Sequence, residues 1–86
     1  MNNSKLQESI NEHLHKQVTV SGKISHSPNF AEQYAGKKGM LRDFDIDDND
    51  SNIIVLIEIP VFLGKEQKRS VNMVWLDRRD VLELNK

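Results

Sequence analysis

Residues 53–62 read IIVLIEIPVF, the longest apolar run in the chain. The run is rich in β-branched residues, which suit a pleated, half-buried surface. Ile53, Val55, Ile57, Ile59 and Val61 form one alternate set, wholly apolar, and are expected to face a core. Ile54, Leu56, Glu58, Pro60 and Phe62 form the other, which turns polar at Glu58. A strand of this kind is covered on both faces only over its first half. Pro60 has no N–H to give, so pairing is expected to be interrupted there or to run along an edge.

Working outward, Asp48-Asn-Asp-Ser-Asn52 before the run is a turn by composition, and Gly64–Arg69 after it is a charged hairpin connection. Upstream, Met40, Phe44 and Ile46 alternate with Leu41, Asp43, Asp45 and Asp47, the pattern of an antiparallel strand exposed on one face. Downstream, Val71, Met73 and Trp75 predict a strand with Trp75 in the core. Asp77-Arg-Arg-Asp80 reads as a turn of 3₁₀ helix, and Val81-Leu-Glu-Leu84 as a short last strand.

Towards the N-terminus, Val18, Val20 and Ile24 predict a first strand with a bend at Gly22. The linking segment Ser25–Gly36 is long for so small a domain, and Phe30 and Tyr34 are expected to share one face of a short helical turn within it. Before the first strand, Leu6, Ile10 and Leu14 form a helical apolar stripe behind a Ser4–Gln7 capping box. A helix over about 5–15 follows, too short to persist undocked. The expectation is that it covers Ile54 and Leu56, forming a second small core outside the barrel.

The resulting fold class is mainly β: a small five-stranded barrel over about 17–84 with an N-terminal amphipathic helix, in a single domain spanning 1–86. This layout resembles the SH3-like barrel superfamily. There a long first loop precedes a three-stranded meander, and a 3₁₀ turn leads into the last strand; Ser25–Gly36, Gly39–Leu76, Asp77–Asp80 and Val81–Leu84 correspond. Gly36-Lys-Lys-Gly-Met-Leu-Arg-Asp-Phe-Asp45 also resembles the KOW motif of ribosomal and transcription-elongation proteins, which implies RNA binding.

Composition narrows the function classes. There is no cysteine, which excludes disulfides, thiolate catalysis and cysteine-held metal. The N-terminal segment lacks the apolar core of a signal peptide, and no apolar run approaches the ~20 residues of a membrane span, so a cytoplasmic protein with no membrane partner is expected. A net charge of −1 gives no global pull towards nucleic acid. Asp47, Asn49, Ser51 and Glu58 fall at oxygen-donor positions of a calcium-loop register, but Asn52 stands where the loop needs glycine and the flanks are strands. His13, His15 and His26 have no zinc-ligand spacing, and no nucleophile elbow or phosphate loop is present. The reading is a non-enzyme with no cofactor and no metal.

The expected activity is binding of a protein partner through the long loop and the charged hairpin tip, with Phe30, Tyr34, Lys37, Lys38, Lys65, Lys68 and Arg69 as contact residues. The alternative is a KOW-like nucleic-acid-binding protein using Lys37, Lys38, Arg42, Lys65, Lys68, Arg69, Arg78 and Arg79.

Overall fold

A computed structural model of the chain describes residues 3–46, 52–63 and 68–85, the side chains of 3, 4, 62, 63, 68 and 69 excepted. The expected Ser4 cap, the Asp47–Ser51 part of the calcium register, residue Lys65 and the side chains of Lys68 and Arg69 lie outside the described residues. The order is α1 (Asn3–His13), β1 (Gln17–Thr19), a 3₁₀ helix (Asn29–Tyr34), β2 (Lys38–Ile46), β3 (Ile53–Leu63), β4 (Lys68–Asp77) and two 3₁₀ turns (Arg78–Asp80, Leu82–Leu84). The strands form one antiparallel sheet in the order β1-β2-β3-β4.

The chain is mainly β with one helix, as expected, but the sheet has four strands and is open. The fifth strand expected over Val81–Leu84 is a single antiparallel bridge, Val20 to Val81, followed by the 3₁₀ turn Leu82–Leu84. A side chain takes the place of the missing ladder. Glu83 accepts hydrogen bonds from the Thr19 N–H at 2.7 Å and the Thr19 hydroxyl at 3.0 Å. The Ser21 N–H donates to the Asp80 carbonyl at 2.7 Å. With those donors satisfied, β1 closes without a partner strand.

The phase of β3 is the predicted one. Ile53, Val55, Ile57 and Ile59 are buried and Ile54 is exposed. Its phase fixes that of β4, because the two pair without a break from Ile54–Asp77 to Leu63–Lys68. Val74 and Leu76, opposite Ile57 and Val55, therefore point inward, while Val71, Met73 and Trp75 point outward. This corrects the core placement of Trp75: alternation within β4 alone leaves its phase open, and the neighbouring strand decides. β2 holds a second correction. A bulge between Leu41 and Asp43 inserts Arg42 and reverses the alternation, so buried Leu41 lies on the same side as Phe44 and Ile46, and Met40 is exposed.

Pro60 lies within β3, and the β2 ladder ends two residues before it, at Met40–Glu58. The β4 ladder continues past it. The missing N–H therefore falls on the β2 side, and beyond it β3 and β4 run on as a two-stranded ribbon. At the same end Gly39 is required by close approach: a Cβ there would lie 2.7 Å from the Glu58 carbonyl oxygen and 2.7 Å from Ile57 Cγ2.

α1 packs on the inner side of the sheet. Ile10 is 1% exposed within the single core, with Leu6 and Leu14 against it. The expected second core over Ile54 and Leu56 is therefore not formed. The connection explains this. His15 takes a left-handed conformation (φ 63°), and its N–H donates to the Leu41 carbonyl, while the Leu41 N–H donates to Lys16. The helix is thereby turned back over the strands it precedes.

Candidate interaction surface

The long loop is organised by one carboxylate. Asp80, 1% exposed, accepts from the backbone N–H groups of Ser25 (3.0 Å), His26 (3.1 Å) and Ser27 (2.6 Å). The Ser27 hydroxyl in turn accepts from the Asp77 N–H at 2.8 Å. Burial alone pushes the Asp80 carboxyl up; the side-chain bond from Ser27 and the three amides outweigh it and hold the group below the usual aspartate value. Asp77 is likewise pushed up by burial and brought below its usual value by Arg79, which binds it through both side-chain oxygens. Glu83 follows the same logic, with burial opposed by the bonds from Thr19. Serine, histidine and aspartate thus meet in one loop, where the carboxylates are engaged by backbone amides, the Ser27 side chain and Arg79. The arrangement anchors the loop.

The contact residues expected from the sequence separate. Phe30 is exposed, but Tyr34 is buried, and its hydroxyl accepts from the Asn72 side chain at 2.9 Å. Both lie on the 3₁₀ helix Asn29–Tyr34, where residues three apart share a face, so Ala31 joins Tyr34 inside and Phe30 turns away. Lys37 and Lys38 are exposed. Of the other basic residues, the three whose side chains are described are tied into the fold. Arg42 pairs with Glu58 at 3.1 Å, Arg79 with Asp77 at 2.9 Å, and Arg78 donates to the Leu84 carbonyl. Glu58 is therefore engaged by Arg42 on the sheet. Among the described residues, no cluster of three or more His, Cys, Asp or Glu could hold a metal ion. No helix among them is long and apolar enough to cross a membrane.

What sequence reasoning missed is the outer face of the sheet. Val71, Met73 and Trp75 on β4 are 53%, 50% and 40% exposed, with Ile54 and Pro60 of β3 and Met40 of β2 exposed on the same face. Pairing places Trp75 opposite Leu56, Met73 opposite Glu58 and Val71 opposite Pro60. At the Val71 end the face opens into a groove of about 270 Å³ lined by Gln17, Lys38, Gly39, Met40, Glu58, Pro60 and Val71. The signal was present in the second apolar set, Val74 with Leu76, which gives β4 two rival inward faces.

No protein-family model, curated protein or solved structure matches the chain.

Proposed function

We propose that the chain is a non-catalytic interaction module that binds a protein partner on the outer face of its sheet. The observation that carries this is the contiguous exposure of Val71, Met73 and Trp75 beside Met40 and Pro60. Such a face costs solubility unless something covers it, and Trp and Met are enriched at interface centres. Phe30, Lys37 and Lys38 remain accessible, and Lys38 lines the groove at the Val71 end. The SH3-like assignment of the fold is part of the same proposal. It is supported by the strand order, the 3₁₀ turn after β4 and the Val20–Val81 bridge that follows it. The KOW-like, nucleic-acid reading ranks second, because Arg42, Arg78 and Arg79 are engaged within the fold.

The test is affinity capture from the source cell with wild type, Trp75→Ser/Met73→Ser and Phe30→Ser as bait, alongside RNA and DNA titrations at two salt concentrations. A partner held by wild type and Phe30→Ser but lost by the double variant is the expected result. Specific nucleic-acid binding that survives physiological salt, with a slope of several phosphate contacts, would replace this reading.

A further inference from the structure

The outer face of the sheet has its unpaired charges sorted to opposite ends. Strand pairing sets the rows. Met40 and Met73 flank Glu58, Asp43 and Trp75 flank Leu56, and Asp45 and Asp77 flank Ile54. Lys38, two residues before Met40 on β2, lines the groove with Pro60 and Val71. Two ion pairs on this face cancel internally, Arg42 with Glu58 at 3.1 Å and Arg79 with Asp77 at 2.9 Å. What remains is a cation, Lys38, at the groove end, and two anions, Asp43 and Asp45, at the other.

These three residues are exposed, and none of them has an ion-pair partner among the described residues. Asp43 and Asp45 each give one oxygen to the next backbone N–H, that of Phe44 at 2.8 Å and of Ile46 at 2.9 Å. The second oxygen of each is left for a ligand. At roughly 3.3 Å per residue, the Pro60 and Ile54 rows lie about 20 Å apart, with Met73 and Trp75 in the rows between.

We infer that a short extended segment of the partner chain lies along this face, in the order acidic, apolar, basic. Its acidic residue pairs with Lys38, its apolar residues cover Val71, Met73 and Trp75, and its basic residue meets Asp43 and Asp45. The inference rests on the reading of this face as the interaction surface, and it states the chemistry of the partner. Charge complementarity fixes the placement, since a segment laid the other way round sets like charges together at both ends. Rows about 6.6 Å apart match the alternate residues of an extended chain, so the acidic and basic residues are separated by four or six positions with apolar residues at the even positions between. Area argues against a second copy as occupant. The exposed apolar side chains here, Met40, Ile54, Val71, Met73 and Trp75, show only 37–53% of their surface, which falls short of the roughly 800 Å² per partner of a stable dimer.

The test uses the full chain as bait for random peptides of about ten residues displayed on phage, with the best binder then synthesised and titrated by fluorescence anisotropy. Selection should enrich peptides that carry one acidic and one basic residue around bulky apolar ones. Lys38→Glu and Asp43→Lys/Asp45→Lys should each weaken the synthetic peptide about tenfold, with circular dichroism and melting temperature unchanged. Replacing the peptide's acidic residue by lysine should restore binding to Lys38→Glu. Lys37→Glu makes the same charge change at an exposed neighbour that does not line the groove, and should shift affinity less than about twofold. Neutralising either charge in the peptide should weaken binding to wild type as well, a readout that holds even if a protein variant fails to fold. Enrichment no greater than on Trp75→Ser/Met73→Ser, binders of a single charge sign, or equal effects at positions 37 and 38 would overturn the proposal. So would a chain that sediments as a dimer and is released by Lys38→Glu, which would give the face to a second copy. A peptide lost with Trp75→Ser/Met73→Ser but indifferent to every charge change ends the charge order and leaves the interaction face standing. Indifference to both sets ends both readings.

Discussion

The two edges of the sheet carry the same problem and solve it differently. At the β1 edge, outward backbone donors meet the Glu83 carboxylate, the Asp80 carbonyl and a single bridge to Val81. At the β4 edge only Asp77 is met, by Ser27, and Val71, Met73 and Trp75 remain open among the described residues. The first edge is closed by local chain and one partly buried carboxylate; the second presents apolar side chains and unpaired backbone to the outside. A strand edge needs acceptors and donors of the right spacing, and side chains can supply them as well as a strand can. An edge left without them, and without charge or proline, is available to another chain.

The largest effect is expected at the anchor of the long loop, which runs from the β1 end to Asp77 of β4. Asp80→Ala leaves the amides of Ser25, His26 and Ser27 without their acceptor. Each unsatisfied buried group costs ~1–3 kcal/mol, less where water enters, so a total of about 3–5 kcal/mol is expected in urea unfolding. A loss below about 1 kcal/mol would mean that the loop is not held by this carboxylate.

Acid should act on these anchoring carboxylates. Asp77, Asp80 and Glu83 are all held below their ordinary values of 3.8, 3.8 and 4.5. The unfolded chain takes up protons on these groups first, so their contribution is full above the ordinary values. It falls as pH drops through the lowered native ones. Stability followed from pH 7 to pH 2 should therefore decline below about pH 5, and the decline should be shallower in Asp80→Asn. An unchanged acid slope in that variant would remove Asp80 from the account.

A smaller effect is expected at Glu83. Glu83→Ala removes the acceptor of the Thr19 N–H and hydroxyl at a site that is only partly buried. Water can replace part of what is lost, so about 1–2 kcal/mol is expected. Amide exchange should speed up at Thr19 while remaining slow at Val55 and Ile57. Uniform acceleration across the sheet would show that the closure is global.

How far the sequence carried these conclusions depended on whether a residue's partner was adjacent in the chain. The inward set of β3 was legible because five apolar residues alternate without interruption. The 3₁₀ turn at Arg78–Asp80 was legible because the capping aspartate and its arginine are neighbours. The phase of β4 was not legible: Val71, Met73 and Trp75 compete with Val74 and Leu76, and only pairing with β3 decides between them. The bulge at Arg42 hid Leu41 from the core set for a related reason, since a strict period of two cannot register an inserted residue. The Asp80 anchor joins residues more than fifty positions apart, and no local pattern marks it. Of the expected contact residues, Phe30, Lys37 and Lys38 are exposed, while Tyr34 belongs to the core because a 3₁₀ helix turns faster than an α-helix.

The smallest effect expected is the one that best isolates the open edge. Val71→Thr keeps a β-branched residue of similar shape and leaves every β3–β4 backbone bond intact. Val71 is 53% exposed, so in dilute protein little burial is lost and the change should stay within about 0.5 kcal/mol. A partner on the outer face adds a concentration term, because whatever binds only the native state stabilises it by mass action. Wild type should then melt at a higher temperature as the captured partner is added, and Val71→Thr should gain less, since its hydroxyl must be desolvated in the interface. Equal melting temperatures at every concentration in both proteins would place Val71 outside any interface. A large loss in dilute protein would place it in the core instead, and the distinction between a closed and an open edge would have to be redrawn.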